Sequence, residues 1–303
     1  MRVAFKTAPR YVEWPVLEAI WATAGALDAF DGGWTFDHLY PADGTGPSFE
    51  GWTTLALLAH HVPGVDVGHL VLANPYRHPA LLAKMATTMD HATQGHFILG
   101  LGAGWLEAEA TANGMPLASI PERLRDLEAA IQVLQALFRD PDASRWAGSE
   151  AESAASGGVT LEAPPYRLEH ARSDPAPFTP NGPPLWLGVQ GERVGMRLVA
   201  QYADGWNYSS GPIPEFLSKR DALLRHCAAL GRDATEITIS TQIRIADVRQ
   251  WRDALEEARQ FAAVGCDYVI LYMDARDGPA GLELLAREVA TPLRELEVQR
   301  PAG

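Results

Sequence analysis

The stretch HFILGLGAGW, residues 96–105, decides how this chain is read. Phe97, Ile98 and Leu99 begin what reads as a buried strand, and then Gly100, Gly102 and Gly104 remove every second side chain before Trp105. Glycine weakens a strand, so three at its end signal a close approach by backbone or by a ligand.

Working outward, apolar runs alternate with amphipathic ones along the whole chain. Strands are expected at 3–7, 32–39, 65–73, 96–102, 184–189, 204–208, 236–246 and 266–273. Helical spacing fills the intervals at 15–30, 49–61, 79–93, 121–138, 191–202, 214–230, 247–265 and 281–296. In 121–138, Leu124, Leu127, Ile131, Leu134 and Leu137 fall on one face. Strands alternating with helices imply right-handed crossovers and a parallel sheet. Eight such units favour a closed (β/α)8 TIM barrel over an open sheet. A single barrel domain over 1–303 is expected, with a long insertion at 140–183. That insertion is rich in Asp, Ser, Gly and Pro, with room for a hairpin near VTLEAPPYRL, and reads as a mobile segment or a lid.

In such a barrel the strand C-termini open onto one face, where active sites sit. Asp37 and His38 follow the second strand, Ala73 and Asn74 the third, Gly102, Ala103 and Gly104 the fourth, and Gly188, Val189, Gln190 and Gly191 the fifth. Four suggestive segments thus converge on one rim. GLGAGW is not a dinucleotide fingerprint, because no glycine stands where the final one belongs. Both glycine turns nevertheless lie at strand-to-helix junctions, where backbone N–H groups favour an anion. Such glycines also serve plain tight turns, and it is the pair on one face that favours phosphate.

His38 is a candidate for proton exchange near neutral pH, against the plain reading of a hydrogen-bonded structural histidine. Asp37 is its lesser companion, pointing the other way if the strand continues. Trp105, Trp52 and Tyr76 could wall an apolar pocket, Trp52 reading better as core. Arg77 could hold an anion or lie over the rim, and Glu50, Glu107 and Glu109 read as solvated surface. His69 reads as structural. No metal-ligand spacing and no nucleophile motif is present, so no metal site is expected.

Bulk properties narrow the classes. The 303 residues are 47% hydrophobic and 21% charged, an ordinary globular balance. A net charge of −13 speaks against a nucleic-acid partner. Cys227 and Cys266 stand far apart and read as core thiols. No run suits a membrane span, MRVAFKTAPRYVEW does not read as a signal peptide, and a cytoplasmic location is expected.

The blocks FDHLYP, ANPYRHPALLAKMATTMDHATQGHFILGLGAGWLEAE, PERLRDLEAAIQVLQALF and PPLWLGVQGERVGMRLVAQYADGWN resemble the bacterial luciferase-like superfamily, in particular its F420-dependent oxidoreductase branch. The resemblance implies a flavin or deazaflavin across the C-terminal face, its ring against a bulge within Leu70–Asn74 that often contains a non-proline cis peptide. Val71, Ala73 and Asn74 are therefore expected beside the ring, and Gly102, Ala103, Gly104, Gly188, Val189, Gln190 and Gly191 at the phosphate. On this view the missing side chains make room for the cofactor. The family's strand-two histidine matches His38. Two departures stand out from the sugar-phosphate dehydrogenases of that branch. Ala42 occupies the position of their tryptophan, and Trp105 that of their glutamate, suggesting a bulkier, more apolar substrate. The expected activity is hydride transfer between F420 and a small organic substrate, with Tyr76 and Trp105 at the substrate. The alternatives are an FMN-dependent monooxygenase fed by a partner reductase and a catalytically silent flavin-binding protein. A homodimer is expected, since dimers are common in this superfamily.

Overall fold

The structure is a computed structural model and describes residues 1–41, 44–139 and 158–298. Its strands are β1 (Arg2–Thr7), β2 (Gly32–Thr35), β3 (Asp66–His69), β4 (Leu72–Ala73), β5 (Phe97–Gly102), the hairpin β6 (Val159–Ala163) and β7 (Tyr166–Ala171), β8 (Leu185–Leu187), β9 (Gly205–Tyr208), β10 (Thr238–Ile245) and β11 (Tyr268–Met273). All strands but the hairpin join one parallel sheet in the order β3-β2-β1-β11-β10-β9-β8-β5-β4. The pairing of β5 with β3 and β4 closes it. Because β4 continues β3, the described residues form a closed eight-stranded parallel barrel, as the alternation of apolar runs implies.

Helices cover the outside: α1 (Trp14–Ala26), α2 (Gly51–Leu58), α3 (Pro79–Ala92), α4 (Glu107–Ala112), α5 (Ile120–Phe138), α6 (Gly195–Tyr202), α7 (Ile213–Leu230), α8 (Trp251–Ala263), α9 (Gly278–Leu285) and α10 (Thr291–Arg294). Alternate strand residues such as Val3, Phe5, Leu99, Leu101, Val269 and Leu271 pack outward with Leu17, Ile20, Leu127 and Ile131 of the helices. The last helix, expected as one piece, is interrupted by a π-helical turn at Ala286–Ala290. Pro292 cannot donate a backbone hydrogen bond there.

The other half of each strand's residues fills the barrel. At its N-terminal end Trp34, Trp186 and Tyr268 meet, with ring centroids 5.1–6.3 Å apart. Ala4, Leu70, Ile98 and Ile270 complete this buried cluster. Further up the strands the inward positions turn polar: Lys6, Asn207, Gln242, Arg244 and Tyr272 all line a cavity.

Two strand expectations need correction. The strand at 65–73 breaks at a cis Leu70–Val71 peptide, the bulge that the family resemblance implies. The second strand ends at Thr35, so Asp37 and His38 lie beyond it. Of the insertion, 140–157 lies outside the described residues. The remainder forms the β6–β7 hairpin and a segment fastened to α3, where Thr179 donates from N and Oγ1 to Asp90 at 2.7 and 2.8 Å.

Candidate active site

A cavity of about 620 Å³ opens at the C-terminal ends of the strands, the size and place of a cofactor site in this architecture. His38, Asp37, Val71, Ala73, Tyr76, Gly102, Ala103, Gly104, Trp105, Gly188, Val189, Gln190 and Gly191 all line it. Asn74 does not: it is buried, and its amide donates to the Tyr166 hydroxyl of the hairpin at 3.3 Å.

Glu109 organises the rim. Its carboxylate is 1% exposed and accepts four hydrogen bonds. Tyr76 Oη (2.6 Å) and His38 Nδ1 (3.0 Å) reach Oε2, while the backbone N–H groups of Leu39 (2.6 Å) and Tyr40 (3.1 Å) reach Oε1. Burial alone would push this carboxyl up, but the hydrogen bonds from Tyr76, His38 and Tyr40 outweigh it and hold it below the ordinary range. An ionised Glu109 accepts a hydrogen bond from Nδ1–H and so fixes the imidazole orientation, with Nε2 outside this contact. Glu109 is therefore not the surface residue its position in EAEATA suggested. Burial, then the Glu109 contact, raises the Tyr76 phenol well above its usual value, so it stays protonated as a donor.

Asp37 turns the other way and buttresses the site. It receives both guanidinium nitrogens of Arg77 (2.7 and 2.9 Å) and the Ala73 N–H (2.9 Å). Arg77 also reaches Glu50 at 2.7 Å, and Glu50 caps α2 through Trp52 N and Thr53 N. Arg77 is thus neither an open anion ligand nor a loose rim residue, and Glu50 is not free surface. Trp105 stands 65% exposed at the mouth, edge-on to His38 at 5.4 Å.

The glycines answer the opening stretch differently from expectation. A Cβ on Gly100 would lie 1.9 Å from the His69 carbonyl oxygen. On Gly102 or Gly188 it would lie 2.7 or 2.8 Å from a Val71 methyl. These glycines admit the bulge of the neighbouring strand, so protein, not cofactor, occupies the space they leave. Gly191 differs, since a Cβ there would meet only Gly195 N, at 3.8 Å.

Lys6, Gln242, Arg244 and Tyr272 were missed at the sequence level. Their signal was the inward alternation of Ser240, Gln242 and Arg244 in TISTQIRI, and a lysine inside the apolar run VAFKT. Lys6 is buried and donates to the Leu70 carbonyl and to Gln242 Oε1, both at 2.8 Å. Burial first, then Arg244 and Arg10, push its ammonium down to about 7. His69 is structural, as expected: its Nε2 meets the Gly51 carbonyl at 3.1 Å, its ring stacks on Trp52, and burial lowers it to about 4. Among the described residues no helix is long and apolar enough to cross a membrane.

Comparison with known proteins adds three relatives. The chain is 27% identical over 239 residues to an F420-dependent glucose-6-phosphate dehydrogenase of Microbacterium testaceum, covering 77% of this chain and 65% of that protein. It is 27% identical over 213 residues to a phthiodiolone/phenolphthiodiolone dimycocerosates ketoreductase of Mycobacterium kansasii, covering 70% and 53%. It is 26% identical over 225 residues to a 4-hydroxyprotoasukamycin monooxygenase of Streptomyces nodosus subsp. asukaensis, covering 72% and 55%. The chain thus spans between about half and two thirds of the length of these curated relatives. Two solved structures share the fold. One is an F420-dependent secondary alcohol dehydrogenase with an F420-acetone adduct, at 15% identity and TM-score 0.75, covering 96% of this chain and 98% of that one. The other is the oxygenating constituent of 3,6-diketocamphane monooxygenase from Pseudomonas putida with FMN, at 14% identity and TM-score 0.68, covering 99% of each. The family model for luciferase-like monooxygenases matches residues 20–288, nearly the whole barrel, and the chain belongs to that family.

Proposed function

We propose that this chain is an oxidoreductase that holds coenzyme F420 at the barrel mouth and exchanges a hydride with a small, partly apolar organic substrate. The observation that carries the reading is a His38 imidazole oriented by a buried carboxylate in the wall of a cavity large enough for a tricyclic ring. The donor set suits such a ligand. The N–H groups of Ala103, Gly104, Gln190 and Gly191 donate to no protein acceptor among the described residues, and open space lies beside Gly191. These two turns would take the phosphate, with Val189 beside them and Val71 and Ala73 beneath the ring. A bound deazaflavin supplies two-electron hydride chemistry through a ring carbon.

The chain's own residues handle the proton and the substrate. Glu109 keeps Nδ1 of His38 protonated, so Nε2 gives or takes the proton that accompanies hydride transfer. Tyr76 and Glu109 are positioning residues for that imidazole. Asp37 and Arg77 hold the 73–77 segment in place. Trp105 offers an aromatic face to an apolar substrate at the mouth.

A second reading, an FMN-dependent monooxygenase supplied with reduced flavin by a partner, draws on the monooxygenase among the relatives. Titration with F420 and FMN, followed by anaerobic turnover of carbonyl compounds with reduced F420, separates the two. Oxygen consumption with reduced FMN and none of that turnover would establish the second. Tight cofactor binding with no turnover by either route, in wild type or His38→Ala, would mark a silent flavin binder. Gly191→Val should fold normally and bind either cofactor at least tenfold more weakly. Unchanged affinity would remove the turn from the phosphate site. Gly104→Val is the poorer test, because Gly104 sits at φ +77° and any side chain there strains the backbone.

A further inference from the structure

The two anion-attracting regions of the cavity lie on different walls. In the ring of eight strands, β1 stands four places from β8, β11 four from β5, and β10 two from β8. The glycine turns follow β5 and β8. The cations Lys6, Arg10 and Arg244 belong to β1, to the segment after it, and to β10, with Tyr272 of β11 between them. Lys6 Nζ lies 4.7 Å and Arg244 Cζ 5.6 Å from the Tyr272 ring centroid. A second cavity of about 280 Å³ adjoins the first and shares Arg10, Arg244 and Tyr272 with it.

Among the described residues, this cation group has no close counter-ion of its own. Asp247 and Asp274 are engaged by Arg249 and Arg276. Neither Arg10 nor Arg244 forms an ion pair among the described residues; Arg10 lies only over the rings of Tyr11 and Phe36. In a chain of net charge −13, Arg10 and Arg244 repel each other and the Lys6 amine around one cavity, relieved only in part by Asp274 near Arg10 and by the Tyr272 ring beside Arg244. An anion placed between them removes that repulsion.

Resting on the reading that the cofactor occupies the β5 and β8 side, we infer that the substrate is an amphipathic anion. Its carboxylate, phosphate or sulfonate sits between Arg10 and Arg244, and its apolar body extends toward Leu124, Ile120 and Trp105. Planar guanidinium groups suit such oxyanions, and Ile120 and Trp105, each 65% exposed, form an apolar lip without a protein cover among the described residues.

The same chemistry could serve the cofactor's own anionic tail, and the test separates the sources. Dissociation constants are measured for F420, FMN, 4-phenylbutanoate and its uncharged isostere 4-phenylbutanamide, the latter pair on cofactor-loaded protein. Wild type, Arg244→Gln and Arg10→Gln/Arg244→Gln are compared. The exposed, unpaired Arg244 makes the single variant safe for folding should the double variant fail. The expected result is that wild type binds the acid at least tenfold more tightly than the amide. The double variant should narrow that gap to within twofold, and the single variant should narrow it severalfold. Cofactor affinity should stay within twofold. A tenfold loss of cofactor affinity in the variants would assign the cations to the cofactor and overturn the proposal. Equal binding of acid and amide by wild type, or binding of neither, would overturn it too. If neither cofactor binds wild type, the function proposed above fails, and calorimetry of the acid and amide on cofactor-free protein still judges the anion site.

Discussion

Replacing Glu109 by glutamine keeps the shape of the side chain and removes its charge, and the hydrogen bonds say how the site must respond. Glu109 accepts four bonds, two at each oxygen. A glutamine oxygen can keep only the pair from Leu39 and Tyr40. Its NH₂ group then faces the Tyr76 hydroxyl and His38 Nδ1, both donors in the parent. The hydroxyl can rotate, but the imidazole must move its proton from Nδ1 to Nε2. Bonds to a charged acceptor contribute about 1 kcal/mol more than neutral ones, so four of them amount to about 4 kcal/mol. Relief of burying a charge returns part of this, leaving a net loss of about 2–3 kcal/mol. An unfolding entropy of about 2.1 cal/mol/K per residue implies roughly 0.6 kcal/mol/K for a chain of this length. The melting temperature should therefore fall by about 3–5 °C. Nitrogen-15 spectra of labelled histidine should show His38 change tautomer at neutral pH. The steady-state rate should fall by about 10²–10⁴, the span of a general acid–base contribution. A His38 that keeps its proton on Nδ1 in Glu109→Gln, with unaltered melting, would refute the assignment of Glu109 as its anchor.

Three further outcomes follow from packing and charge. Lys6 titrates near 7 in the fold against an ordinary 10.5, so between those values the unfolded chain binds more protons and stability rises with pH. The cost is fully present below about 7 and gone above 10.5. Lys6→Met should flatten that rise, on the order of a few kcal/mol, in urea midpoints compared at pH 6.5 and pH 10. Gly102→Ala drives a Cβ against Val71 and should lower stability by about 1–3 kcal/mol. Adding Val71→Ala should recover much of it, and simple additivity in chemical denaturation would contradict the nesting. Arg77→Met leaves the buried Asp37 carboxylate without its bidentate partner and should cost about 3–5 kcal/mol. The double variant Asp37→Asn/Arg77→Met should be less destabilised than Arg77→Met alone by the same unfolding assay.

The barrel was legible because its signal is local and repeated: each apolar run is followed by an amphipathic one, and the runs end in glycine or polar residues. The rim segments that bear His38, Ala103 and Gln190 were found on the same grounds. What stayed hidden depends on distance along the chain. Glu109 lies 71 residues from His38, and EAEATA on its own reads as an exposed turn of helix. Arg77 meets Asp37 across 40 residues, and nothing local to YRHP distinguishes a fixed guanidinium from a free one. The glycines show the opposite error. Their number said that something comes close, but Val71 and the His69 carbonyl supply that neighbour, and no one-dimensional pattern separates an inward methyl from a ligand. Lys6 and Gln242 were visible as polar residues at alternating positions, yet such alternation in a strand usually means water on that side, and here it means the interior of the barrel.

The tilted indoles of Trp34 and Trp186 and the edge-on phenol of Tyr268 shut the floor of the barrel, so molecules come and go at the rim. Traffic through one end is last in, first out: whichever molecule settles nearest that plug must arrive before its companion and leave after it. Product-inhibition patterns should then report a compulsory order of encounter, imposed by three rings that never touch the chemistry.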